Sequence, residues 1–447
     1  MTETPAPAPV VQASEAPPRS SRSRSVLRRT LLQLYRLAIL VAIAWIIRAH
    51  QVRLQIGGDA PITRDEVQRI FPAAAYLVPD PGERHGMWVR SGTGAELGYV
   101  LRTMPSAEKI IGYRGWTDTL IAFDPALHVI GVRIRSSLDT QEHVEDVQTD
   151  RPFMKTWNGK SWDEIARTTP ESAGMEGVSG ATLTSMAMAD GIQRRLAASS
   201  EALALQPPPF RFSWRDAGLV AVITAAIVLS ITGTYRRQWL RRSFQILVIL
   251  YVGFLSAALL AQSLFVGWSQ AGAPWRTAPG LVLLLAAALA VPWTTGKALY
   301  CQHLCPHGAA QELLAQWTPR RWRIALPRDF AAGLRWLPPL LLGVVLIVTF
   351  LTLPLDLAHL EPFDAYSLRA AGFATIAIAV AGLLAAPFVP MAYCHYGCPT
   401  GALLNFIRSH GPEDRFSRRD FAALLLVLLA GTLAWYYPVI HARMTAI

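Results

Sequence analysis

Apolar segments run over 31–47, 217–234, 244–264, 279–295, 337–357, 371–391 and 421–437. Each is near the length that spans a ~30 Å hydrocarbon layer. Between the first and second lies 49–212, where charge and glycine mix with short β-branched runs. There Val129-Ile130-Gly131-Val132-Arg133-Ile134 alternates as a half-buried strand does. Residues 2–18, rich in Pro, Ala and Ser, read as a disordered tail, and Pro207-Pro208-Pro209 as a stiff linker. The pattern predicts an α+β soluble domain joined to an all-α polytopic membrane domain with about seven transmembrane helices. Its parts are a disordered basic tail over 1–30, an anchor over 31–48, a soluble domain over 49–212 and a six-helix domain over 213–447.

Composition agrees: 52% of residues are hydrophobic and only 16% charged, where a soluble chain carries about 25% charge. The net charge of +11 sits beside the apolar segments, as at Arg236, Arg237, Arg241 and Arg242, not on one continuous basic face. That excludes nucleic acid as a partner and makes the lipid bilayer one. Segments 235–243, 296–336 and 392–420 carry four, six and four Lys or Arg, whereas 265–278, 358–370 and 438–447 carry one each. The asymmetry puts the N-terminus in the cytoplasm and the soluble domain and C-terminus outside. Arg48 and His50 follow the first apolar stretch with no small-residue cleavage site, which favours an uncleaved anchor over a signal peptide. Arg36 and Arg48 would then reach for opposite interfaces.

The four cysteines fall in a repeat. Tyr300-Cys301-x-x-x-Cys305-Pro306-x-Gly308-Ala309 recurs 93 residues later as Tyr393-Cys394-x-x-x-Cys398-Pro399-x-Gly401-Ala402. By the charge asymmetry both pairs lie at cytoplasmic ends of spans. Helical i, i+4 spacing would put each pair on one face, and the following proline suits the start of a new helix. Two facing pairs supply four sulfur ligands. A reducing compartment argues against disulfides, leaving an iron–sulfur cluster, or zinc or another metal, at Cys301, Cys305, Cys394 and Cys398. His303, His307 and His395 have the chemistry of haem or metal ligands, but read first as interfacial histidines near the headgroups. Glu361-Pro362-Phe363-Asp364 falls in an external loop near the soluble domain.

In the soluble domain, Gly177-Val178-Ser179-Gly180-Ala181-Thr182-Leu183-Thr184-Ser185 precedes helical spacing at Met186, Ala187, Ala189, Ile192 and Leu196. Small polar residues opening a helix leave backbone N–H groups free for a phosphate, though an ordinary helix cap has the same look. Ser179-Gly180-Ala181-Thr182 resembles the flavinylation motif of the FMN-binding domains of sodium-pumping NADH:quinone oxidoreductase and Rnf complexes. The resemblance implies that a flavin transferase esterifies FMN through its phosphate to Thr182. Glu176 stands where that motif has Asp. Gly112-Tyr113-Arg114-Gly115 and Asp139-Thr140 resemble the Gly-Tyr-x-Gly and Glu-Thr elements of those domains. This makes Gly112, Tyr113, Gly115, Asp139 and Thr140 flavin-contact candidates, with the tyrosine covering apolar ring surface.

The order of anchor, external FMN domain and membrane domain with paired C-x3-C-P is similar to the NosR/NirI family. That resemblance covers nearly the whole chain, without the cytoplasmic ferredoxin-like domain that usually follows. It implies a bacterial inner-membrane, electron-transfer flavoprotein linking a quinol or cytoplasmic donor to a periplasmic acceptor. The alternative is a redox-sensing regulatory or maturation factor for a periplasmic reductase. With FMN outside and cysteines inside, most of a ~30 Å layer would separate them. Either the soluble domain packs down into the bundle, or a further carrier such as a quinone or haem lies between.

Overall fold

The computed structural model describes residues 19–56, 61–82, 84–197, 208–353, 355–366, 372–409 and 414–445. Of the disordered tail expected over 1–30, residues up to 18 lie outside them, while from Arg19 the chain is already helical, in the Arg19–Ile56 helix. In the soluble domain five antiparallel strands form one sheet in the order of the chain. They are β1 (Ala74–Pro79), β2 (Met87–Ser91), β3 (Glu96–Arg102), β4 (Thr117–Phe123) and β5 (Val129–Ser137). The alternating run from Val129 is β5, as its pattern predicts.

β4 is buried along its whole length because each face of the sheet is covered. On one face Tyr99, Leu101, Ile121 and Phe123 pack with Met188, Ala189, Ile192 and Leu196 of the Thr182–Ala197 helix. On the other, Val100, Leu120 and Ala122 pack with Val67 and Phe71. A capping box at Thr63 and Glu66 starts the short helix carrying Val67. The helix that holds Thr182 is therefore fixed against the sheet by its apolar face.

Among the described residues, four helices are long and apolar enough to cross a membrane: Leu27–Leu54 ahead of the soluble domain, and Trp214–Thr232, Arg328–Leu351 and Arg418–Ile440 after it. Pro279–Thr295 and Phe373–Ala385 are shorter apolar helices. The stretch expected as one span over 244–264 is broken. The helix from Gln238 to Val248 widens over Ile249–Leu255, stops, and resumes as Gln262–Ala271. Irregular backbone survives in an apolar layer only where protein satisfies its polar groups. Here Leu259 O, Leu260 N and Gln262 N are bonded by Tyr113, Tyr300 and Glu361.

Arg36 also departs from expectation. It is fully buried and paired with Asp414 at 2.9 Å and Asp420 at 2.7 Å, so it does not reach an interface. Two carboxylates make burial of the guanidinium tolerable, and they clamp the first helix to the last. Arg48 bonds the carbonyl of Gln270 at the end nearer the soluble domain.

Candidate functional site

Thr182 is the first residue of its helix, and its hydroxyl donates to Val178 O at 3.2 Å. The turn before it is compact: Ser185 Oγ accepts from Val178 N at 2.9 Å, and Gly180 has φ +92°. A Cβ on Gly177 would stand 2.8 Å from Thr182 Cγ2 and 3.1 Å from its Cα, so only glycine fits there. Thr182 is half-buried and Ser179 exposed, while Ala181 is buried. The hydroxyl thus stays within reach of a modifying group at a helix start, where a phosphate is favoured.

Asp139 ties this segment to the other candidates. Its carboxylate accepts from Tyr113 N and Arg114 N at 3.0 Å, from Thr140 N at 2.9 Å and from Thr184 Oγ1 at 2.8 Å. Gly112 N closes the turn on Gly115 O at 2.9 Å. A side chain on Gly112 would strike Asp139 Oδ2 at 2.4 Å. The structure therefore brings Gly112, Gly115, Asp139 and Thr140 beside the start of the Thr182 helix. The buried Thr140 Oγ1 has no hydrogen-bond partner, a donor that a flavin could satisfy. Asp139 fills its role with one methylene fewer than the usual Glu.

Tyr113 points elsewhere. Its ring is buried in the core of the membrane domain, and its hydroxyl donates to Leu259 O at 3.1 Å. Trp268 Nε1 donates to Tyr113 O at 3.3 Å. Gly267 admits Arg114, since a Cβ there would lie 2.4 Å from Arg114 O. Leu183, next to Thr182, packs on the same core. Around this seat His359 Nε2 meets Glu142 at 2.7 Å, and Gln141 N donates to Asp356 at 2.7 Å. Burial raises the Glu142 carboxyl, against the opposing bond from His359. Burial also pushes Asp364, which faces His143 and Glu142, up to about 6.

The cysteines come to meet this seat. Lys297 Nζ bonds Ser230 O near the far end of the Trp214–Thr232 helix. The chain then re-enters the bundle, and Pro306 approaches Gly253. The neighbouring Tyr251 bonds Arg215 O near the start of that helix, on the soluble-domain side. From Pro306 a helix runs back to Trp317. The second repeat behaves alike, and Glu361 from the loop on the soluble-domain side accepts from Thr400 N at 3.0 Å. Both cysteine pairs therefore lie close to the loop that holds Glu361, with Cys305 and Cys398 in one packed core. Of the two arrangements expected for the soluble domain, packing down into the bundle is the one seen, since Tyr113 shares that core with Cys305 and Cys398.

The i, i+4 expectation needs revision. Cys305 and Cys398 have extended backbone and cap the helices that begin at Pro306 and Pro399, because proline disfavours helical geometry in the residue before it. Each pair therefore straddles a helix break. Cys305 and Cys398 share one buried core, and Cys301 packs partly buried against it. Gly308 N and Gly401 N donate to Cys305 Sγ and Cys398 Sγ at 3.4 and 3.1 Å. Gln311 joins the repeats, donating to Cys394 Sγ at 3.3 Å and accepting from Tyr393 N at 3.3 Å. Donors aimed at sulfur suit thiolate ligands. Among the described residues no group of three His, Cys, Asp or Glu is arranged for a single metal ion; a cluster spreads its ligands more widely than one ion does. His307 is buried against Tyr366 and Tyr393, not at an interface.

Comparison with known proteins agrees with this division. An FMN-binding domain family matches residues 112–197. A 4Fe-4S binding domain family matches 277–325 and 371–420, the two repeats. The chain thus combines an FMN-binding domain match and a 4Fe-4S binding domain match with membrane-length helices. Over 213 residues it is 24% identical to YccM of Escherichia coli (strain K12), which is named for electron transport; the match covers 45% of this chain and 59% of YccM. Over 171 residues it is 31% identical to Protein NirI of Paracoccus denitrificans (strain Pd 1222), covering 35% of this chain and 23% of NirI. The chain thus spans under two thirds of either relative. No solved structure matches it.

Sequence reasoning missed Gln311, Tyr300 and Glu361 as site residues. Tyr300 left a signal as the tyrosine repeated before each first cysteine, and Glu361 stood in the loop expected near the soluble domain; Gln311 left none.

Proposed function

We infer that this protein is a membrane electron-transfer flavoprotein. It moves electrons between a quinol or cytoplasmic donor and an extracytoplasmic acceptor, through a cluster on Cys301, Cys305, Cys394 and Cys398 and FMN esterified to Thr182. The observation that carries the reading is the seating of the Gly112–Gly115 turn in the membrane core that also holds Cys305 and Cys398. The shared core brings the flavin-domain turn against the cysteine site, which supports passage between them without a third carrier. The protein's own contribution is to hold the flavin phosphate at a helix start, to aim N–H donors at the cysteine sulfurs and to keep water out. A flavin transferase would load Thr182, with the soluble domain in the periplasm and the bilayer the bacterial inner membrane. In this arrangement a donor for the cluster reaches the cysteines from the bundle, and the acceptor meets the flavin outside.

The test uses the full chain in lipid vesicles, loaded with both cofactors and given a quinol or a low-potential protein donor. The flavin absorption of the wild type should bleach, and that of Cys398→Ser should stay. Equal bleaching in both would remove the cysteine site from the route.

A further inference from the structure

Tyr113 and Tyr300 approach one peptide from opposite sides. Tyr113, in the flavin-domain turn, donates its hydroxyl to Leu259 O at 3.1 Å, and Leu260 N donates to the hydroxyl of Tyr300 at 2.9 Å. Leu259 O and Leu260 N belong to the same peptide unit, and Tyr300 is bonded directly to Cys301. The two tyrosines are 7% and 2% exposed, so water does not enter the link. The peptide belongs to the break between the Ile249–Leu255 and Gln262–Ala271 segments, where its polar groups have no helical partners. A straight helix would have turned those groups inward and left the tyrosines nothing to bind.

We propose that Tyr113, the Leu259–Leu260 peptide and Tyr300 form the bonded bridge by which single electrons pass between the cysteine site and the flavin domain. This rests on the function inferred above and names the route within it. Tunnelling falls off more steeply across a gap than along bonds and short hydrogen bonds, so a continuous bonded route dominates in a packed core. The tyrosines act as a medium and are not themselves oxidised, and the hydroxyl protons stay on their oxygens. In each event the cluster loses one electron and is oxidised by one, and the flavin gains that electron and is reduced by one. Farther into the soluble domain the route continues through Tyr113 N to Asp139 and from Asp139 to Thr184 Oγ1, at 3.0 and 2.8 Å.

The test compares the wild type, Tyr300→Phe, Tyr113→Phe and the double variant, each as the full chain loaded with flavin and iron. A flash-excited dye with a sacrificial amine donor injects one electron, and absorption follows its redistribution between the two centres. Tyr251→Phe is the control, because its hydroxyl binds Arg215 O away from the bridge. Each bridge variant should equilibrate several-fold more slowly than the wild type, at unchanged midpoint potentials, and the control should match the wild type. Hydrogen–deuterium exchange on cofactor-free protein supplies the structural readout: protection around 111–115 and 256–264 should persist in Tyr300→Phe. Unchanged rates in the double variant would overturn the bridge. Slower rates accompanied by lost protection would also overturn it, making the tyrosines docking residues only. A wild type that shows no transfer at all would instead defeat the function inferred above.

Discussion

Thr182 is shaped by one short stretch of chain, from Gly177 to Ser185, with a single distant carboxylate, Asp139, fastening it to a neighbouring turn. Cys398 depends on contacts from afar: its near neighbour Thr400 bonds Glu361, 39 positions away, and Cys394 of its own pair bonds Gln311, 83 positions away. The first site is local and can form wherever the soluble domain folds. The second exists only once two repeats, a broken helix and a re-entrant loop have assembled. The difference teaches that the two centres should fail separately when their own residues are changed, and together only when the seat between them is disturbed.

The largest effects test that separation. Cys398→Ser should abolish the cluster, read as lost iron and lost visible absorption, while covalent flavin is retained in full. Thr182→Ala should do the reverse, giving no flavin fluorescence on a denaturing gel and unchanged iron. Loss of both cofactors in either variant would break the comparison.

Asp139→Ala comes next. It leaves four donors without their acceptor at a cost of roughly 3–5 kcal/mol. Flavin loading should fall, and the flavin-domain melting transition should shift down by several degrees, with the cluster spectrum little altered. A cluster lost along with it would show that the seat, and not the flavin segment alone, relies on this carboxylate.

Asp364→Asn probes the seat itself. Burial raises this carboxyl to about 6, so the folded protein keeps a proton that the unfolded chain releases from about pH 4 upward. The penalty for ionising it in place is absent at low pH, grows as pH rises toward 6, and is complete above that. The variant should therefore be more stable than the wild type at pH 8, by about 1–3 kcal/mol, and indistinguishable from it at pH 4. Thermal unfolding at both pH values decides, and equal melting at pH 8 would contradict the buried placement.

Gln311→Leu is the subtlest. It removes a donor from Cys394 Sγ, and such donors stabilise the more negative, reduced cluster. At about 1 kcal/mol per bond, the midpoint potential should drop by about 40 mV for one electron. Redox titration should show that shift with the flavin potential unmoved.

Much of this was legible in the residue pattern because it depends on neighbours in sequence. The strand at Val129, the helix after Thr182 and the helix starts at Pro306 and Pro399 all follow from period, caps and proline geometry. The break inside 244–264 was not, because its residues are as apolar as those of a span. What interrupts the helix is tertiary, the capture of Leu259 O and Leu260 N by Tyr113 and Tyr300. Arg36 was misplaced for a related reason. A lone arginine in an apolar stretch looks solvent-seeking until Asp414 and Asp420, nearly four hundred residues on, are folded against it.

The most direct test of the whole account is the cofactor content of the full chain, co-expressed with a flavin transferase and purified without oxygen. Iron, acid-labile sulfide, zinc and covalent flavin would be assayed together, with low-temperature EPR after reduction. The account predicts one covalent flavin and one 4Fe-4S cluster per chain, with an EPR signal on reduction and no stoichiometric zinc. Flavin with zinc in place of iron, or iron with no covalent flavin, would contradict it.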